Sequence, residues 1–190
     1  MDDKYIFPGI SMATDRAVPS SQVSTCLRIL LYFLNCITMA TGGKLDVQIE
    51  VKSPADKFWG AIRDSTTLLP KAFSHDYKSI EVLQGDGKAP GSVRLITYAE
   101  GSPIVKVSTE KIEAVDDEKK ELAYNVIDGD VLKYYKVFKA FMTVSPKGDG
   151  SLVKWSCEYE KASNEVPDPS VIKEFALKNF KEVDEYLTKS

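Results

Sequence analysis

The chain has a single histidine, His75, and three cysteines, Cys26, Cys36 and Cys157, among its 190 residues. An odd set of cysteines, two of them in one short stretch, gives no basis for a disulfide framework or a four-ligand zinc site. His75 sits in a connecting stretch with no serine or cysteine nucleophile visibly paired to it, so no hydrolase triad can be nominated. No catalytic residue, metal ligand or cofactor is assigned from the sequence. Positive charge is scarce as well: 25 basic residues stand against 28 acidic ones, a net charge of -3. Without a cationic field the chain is poorly suited to phosphate backbones, and no nucleic-acid partner is expected. The apolar run Cys26 to Ile37 is broken by Arg28 and Asn35 and reaches only about half of the roughly 20 residues a membrane helix needs. A secretory signal would want a short basic head, whereas the preceding stretch is long and carries Asp2, Asp3 and Asp15. No stable membrane insertion is expected, and the cysteine usage fits a reducing, cytoplasmic setting.

What is present is enough for one well-buried core: 43% of the residues are hydrophobic, in a chain too short to favour two cores. Residues 1–38 read differently from the rest. Pro8, Gly9, Pro19 and several serines give residues 1–25 the composition of a disordered arm. The expectation is an N-terminal extension over 1–38, with Met39 as a natural start and one folded domain over 39–190.

From Lys44 to Lys52, Leu45, Val47, Ile49 and Val51 alternate with Asp46, Gln48 and Glu50, the pattern of a half-buried strand. Ser53 and Pro54 then open a short helix with Asp56 in its first turn and Phe58, Trp59 and Ile62 as apolar positions. A second short helix runs through Leu68 and Leu69 to about Phe73. The two-residue period returns in six further strands: Tyr77 to Leu83, Ser92 to Ala99, Ile104 to Val115, Glu121 to Ile127, Leu132 to Val144 and Leu152 to Tyr159. Short joints rich in glycine, proline and aspartate make these an antiparallel meander. Asp168 and Pro169 then signal the start of a long helix to Leu187. Its buried stripe is predicted as Ile172, Phe175, Ala176, Asn179, Val183 and Tyr186. Glu174 with Lys178, and Lys181 with Glu185, are spaced to pair on its exposed side.

The chain from about Met39 onward resembles the plant Bet v 1 superfamily, and within it the major latex protein-like branch. The resemblance is carried by KLDVQIEVKSPADKFW at 44–59, LLPKAF at 68–73, GDGKAPGSVR at 85–94, EKIEAVD at 110–116, GDGSLVKW at 148–155 and the closing segment from Ala162 to Leu187. It implies an α+β helix-grip fold: a seven-stranded curved antiparallel sheet wrapped round the long C-terminal helix, with two short helices. It also implies a hollow interior that holds apolar plant metabolites, and a link to defence and stress responses.

Alternation places Arg94, Ile96 and Tyr98 on one strand face, Leu122, Tyr124 and Val126 on another, and Lys136, Phe138, Ala140 and Met142 on a third. Val153, Trp155, Cys157 and Tyr159 complete the inward set. Tyr98, Tyr124, Tyr159 and Trp155 carry polar tips that need partners if buried. Such a set suits either an ordinary aromatic core or an apolar pocket with a few convergent polar groups, and the resemblance favours the pocket. Ile62, Leu69, Arg94, Tyr98, Tyr124, Lys136, Phe138, Trp155, Phe175 and Asn179 are the candidate ligand-binding residues. Lys136 could face a ligand anion; a bulge near Tyr134 and Tyr135 would instead turn it to solvent. Asn179 offers a donor and an acceptor to a bound hydroxyl or carbonyl, or it touches water at the helix edge.

The loop from Gly85 to Gly91 invites a phosphate reading, but it joins two strands and precedes no helix. It also departs by one residue from the GxGxxG of the related pathogenesis-related proteins, so it reads as a hairpin loop. Asp116 to Lys120 reads as an exposed hairpin tip. The function expected is a monomeric, non-catalytic carrier or sensor of a hydrophobic small molecule: a sterol, fatty acid, phenolic or hormone-like compound. The alternative is an enzyme using the same cavity for condensation or isomerisation, with Lys136 and a tyrosine as acid and base. A hormone receptor docking a phosphatase is disfavoured. The abscisic acid receptors resemble this fold, but their SGLPA gate and HRL latch do not occur, and the gate region here reads EGSP at 100–103.

Overall fold

The structure is a computed structural model and describes residues 42–100 and 105–189. The extension expected over 1–38 and most of the gate stretch at 100–103 lie outside the described residues.

Seven strands form one antiparallel sheet. They are β1 (Gly42–Val51), β2 (Tyr77–Gln84), β3 (Val93–Tyr98), β4 (Val107–Asp116), β5 (Glu121–Gly129), β6 (Tyr135–Lys147) and β7 (Gly150–Lys161). Their spatial order is β1-β7-β6-β5-β4-β3-β2, so the first two strands of the chain form the two edges. Helices α1 (Ala55–Arg63) and α2 (Ser65–Ala72) carry the chain from one edge to the other, and α3 (Ser170–Lys189) closes the domain. This is the helix-grip arrangement expected.

Period-two burial explains the strands. On β7, Ser151, Val153, Trp155, Cys157 and Tyr159 are buried while Lys154 and Glu158 are exposed, which fixes the register because a one-residue slip would put every apolar side chain in water. The strand limits differ from expectation by a few residues, and the start of β6 is the one that bears on the site. A single 3-10 turn at Asp130–Lys133 follows β5, so β6 begins at Tyr135 rather than Leu132. There the register slips: Tyr135 pairs with Lys161 but Val137 pairs with Glu160. Two residues of β6 therefore oppose one of β7, which is a β-bulge. Strict alternation fails at this point, and Lys136 turns outward.

Helix α3 differs from its predicted wheel in three ways. Its buried residues are Asn179, Phe180, Val183 and Leu187, while Tyr186 is exposed. At about 100° per residue Phe180 draws the centre of the buried stripe to one side of Asn179, onto Val183 and Leu187, and Tyr186 falls about 20° to the other side, at the margin. Asp168 gives its carboxylate to Lys161 Nζ at 2.7 Å and not to the helix start. Lys178 turns to Asp76, 2.8 Å from both carboxylate oxygens, in place of Glu174.

The C-terminal half of α3 is pinned to the joint between β1 and α1. Asp184 accepts hydrogen bonds from Ser53 N at 2.8 Å, Ser53 Oγ at 2.6 Å and Lys52 N at 3.1 Å. Ser53, expected to open α1, thus serves α3, and no side chain caps α1 at Pro54. Phe58 lies edge-on to Phe180 at 6.4 Å between ring centroids. The hairpin tip after β4 is not simply solvated either. Asp117 accepts from Trp59 Nε1 at 2.8 Å and pairs with Arg63 Nε at 3.0 Å.

Candidate functional site

Between the sheet and α3 lies a cavity of about 190 Å³. Its walls are mostly apolar, and the exceptions gather on a few elements. From β3, Arg94 points its guanidinium across to β4, whose Glu110 is its cross-strand partner. Arg94 Nη2 donates to Glu110 Oε2 at 3.0 Å and Nη1 to Ser65 Oγ at 3.2 Å. An arginine on an inward face has to find an anion, and the facing strand supplies it. Burial pushes the Glu110 carboxyl up more than the attraction of Arg94 brings it down.

Aromatic side chains with polar ends complete the lining. Trp155 Nε1 donates to Tyr124 Oη at 3.3 Å. Tyr77, Tyr98 and Phe175 form a cluster with ring centroids 5.5 to 6.0 Å apart, joining the sheet to α3 through edge and tilted contacts. Burial is the main cause raising the phenols of Tyr77, Tyr98 and Tyr124, so all three stay protonated at neutral pH. On α3, Asn179 Nδ2 donates to Phe175 O at 2.8 Å, while its Oδ1 and Arg94 Nε are buried without a partner among the described residues.

Nine of the ten residues nominated from the sequence line this cavity: Ile62, Leu69, Arg94, Tyr98, Tyr124, Phe138, Trp155, Phe175 and Asn179. Lys136 is absent from the lining. Its side chain is 58% exposed and lies 3.7 Å from Glu160, because the bulge turns it outward. The acid-base pair of Lys136 with a tyrosine is consequently not assembled. Sequence reasoning missed Glu110, Ser65, Ser108 and Tyr77 in the lining, and also Val131, which the 3-10 turn delivers. The signal for Glu110 was there: once Arg94 is committed inward, its partner must come from an adjacent strand.

Two other features carry less. The loop Gly85 to Gly91 fills itself, since Asp86 Oδ1 accepts from Lys88 N and Ala89 N at 2.7 Å and from Ser92 Oγ at 3.0 Å. Those bonds hold the Asp86 carboxyl at about 2, and the amides a phosphate would need are taken. His75, Asp76 and Glu182 bring ligand atoms within 4.8 Å of one another. The Lys178 ammonium already sits against Asp76 there, so the positive charge the acids require is built in. No helix among the described residues is long and apolar enough to cross a membrane.

A curved antiparallel sheet gripping a helix round an apolar cavity with a few polar groups defines a helix-grip protein with an internal cavity. Residues 40–190 match the model of the pathogenesis-related protein Bet v 1 family. The chain belongs to that family, in its MLP-like branch. It is similar to MLP-like protein 423 of Arabidopsis thaliana, 62% identical over 151 residues covering 80% of this chain and 97% of that protein. Among solved structures it is similar to major latex-like protein 151 of Panax ginseng, with a TM-score of 0.70, 26% identity and coverage of 77% of this chain and 97% of that one. A norcoclaurine synthase from Thalictrum flavum, in complex with dopamine and hydroxybenzaldehyde, is 19% identical at a TM-score of 0.67, covering 80% of this chain and 92% of that one. At that identity the likeness is one of fold.

Proposed function

We propose that this chain is a binding or carrier protein for a hydrophobic small molecule, acting without catalysis in plant defence or stress responses and located in the cytoplasm. The observation that carries the reading is the cavity itself. Its apolar walls supply affinity in proportion to the ligand surface they cover, and a handful of polar groups supply orientation. Family membership supports the same reading.

The test is to titrate the full chain with a panel of sterols, fatty acids and phenolics, following Trp155 fluorescence and the melting temperature. A ligand present at about 100 times its Kd stabilises the folded state by about 2.7 kcal/mol, well above the error of a melting curve. Quenching and stabilisation by the same compound are expected. If no apolar compound of any class does either at high micromolar concentration, the reading falls.

A further inference from the structure

The sequence left open whether a cation faces the ligand. The bulge at Lys136 removes that candidate from the lining, and what remains in the cavity pairs its one guanidinium with its one carboxyl group. Among the described residues that line it, Arg94 is the one arginine or lysine and Glu110 the one acidic side chain, and they are bonded to each other at 3.0 Å with side chains 9% and 12% exposed. A bound carboxylate would lose its hydration, lie close to Glu110 and find no unmatched cation. Polar capacity nevertheless remains. Arg94 Nε is a donor without an acceptor, and Asn179 Oδ1 is an acceptor without a donor. Both residues are buried and both line the cavity, one from the sheet and one from α3.

We propose that the cavity selects a neutral hydroxylated carbonyl compound: an apolar body whose carbonyl oxygen accepts from Arg94 and whose hydroxyl donates to Asn179, with carboxylates discriminated against. This rests on the cavity reading above and narrows it. Of the ligand classes expected from the sequence, fatty acids and acidic hormones are disfavoured, while neutral phenolic and hydroxylated ketones are favoured. The selection is electrostatic and not steric, so a carboxylate of the same shape is the decisive comparison.

Three probes on one compact skeleton make that comparison by calorimetry with the full chain: 6-acetyl-2-naphthol, 6-hydroxy-2-naphthoic acid and 2-acetylnaphthalene. Near pH 6, between the carboxyl and phenol ranges, only the second is charged. The hydroxy ketone should bind at least roughly tenfold tighter than the acid, and loss of its hydroxyl should weaken it by about the same factor, the worth of one well-placed hydrogen bond. Asn179→Leu should abolish the hydroxyl's advantage, bringing 6-acetyl-2-naphthol and 2-acetylnaphthalene to within about twofold of each other. Glu110→Gln frees the Arg94 charge and should reverse the order in favour of the acid. If that variant does not fold, the wild-type order and Asn179→Leu still decide. Equal or tighter binding of the acid by the wild-type chain overturns the proposal while leaving the cavity reading intact. No heat from any of the three, together with no response to the wider panel, overturns both.

Discussion

Replacing Asp184 by alanine should destabilise the domain well beyond the loss of an ordinary surface charge. Its carboxylate is the acceptor for three hydrogen bonds, two of them from Ser53, which is 1% exposed. Water can take over the Lys52 amide, which is on the surface, more readily than the Ser53 amide and hydroxyl, whose bonds to Asp184 are partly buried. The buried amide and hydroxyl left unpaired should therefore cost about 3 kcal/mol together. In urea, where a domain of this size loses about 2 kcal/mol per molar, the midpoint should fall by roughly 1.5 M. Asp184→Asn keeps an acceptor oxygen and should lose about half as much. Acid provides an internal control. Burial pushes the Asp184 carboxyl up, but its bonds to Ser53 and Lys52 outweigh this and its pKa lies below the ordinary 3.8. The unfolded chain then binds the proton first as pH falls, so this stabilisation is complete above the ordinary value and lost as pH drops through the folded one. The gap between wild type and Asp184→Ala should be constant from about pH 5 to 8 and close in stronger acid. A difference under about 0.5 kcal/mol at neutral pH, or a gap that widens on acidification, would refute the pinning of α3 through Ser53.

Lys136→Met should leave ligand affinity within about twofold and stability within about 0.5 kcal/mol, as for any exposed position; a large loss of binding would return Lys136 to the cavity. Gly129, at φ 109°, ends β5, and a Cβ there would lie 2.9 Å from Ser108 Cα and closer still to Val107 O. Gly129→Ala should therefore cost about 2 kcal/mol or more, measurable as a lower urea midpoint with an unchanged slope. Cys157 is fully buried, and burial pushes its thiol up to about 12. Iodoacetamide at about pH 8 should leave it unmodified in the native protein and label it at the rate of unfolding; fast native labelling, mapped by peptide mass, would contradict its placement.

Much of the architecture was legible because a half-buried sheet writes its register into alternation. On β3, β5 and β7 the inward sets Arg94 to Tyr98, Leu122 to Val126 and Val153 to Tyr159 followed directly from it. Alternation fails where one strand holds an extra residue, and Tyr134-Tyr135-Lys136 by itself leaves the bulge and the straight strand both open. The pairing with Lys161 and Glu160, far along the chain, decides it. The expectation at Tyr186 fails for a related reason: Tyr186 and Leu187 both fit spacings of three and four, and the burial of Phe180, which shifts the stripe to one side of Asn179, separates them. Ser53 and Asp117 were read as a helix start and a hairpin tip because their partners, Asp184 and Trp59, lie 131 and 58 residues away.

The two halves of α3 have different duties. From Val183 to Leu187 the helix is packed and tied to the β1 joint, whereas from Val171 to Phe180 its inward side chains line the cavity. A residue bordering empty space can change size or polarity without forcing its neighbours to repack. The first half of the helix is thus open to drift in what it admits while the second half keeps the domain folded. Gene copies that share this scaffold can diverge in the shape of the cavity by changing Val171, Ile172 or Ala176 alone, while Phe175 is held in its cluster with Tyr77 and Tyr98.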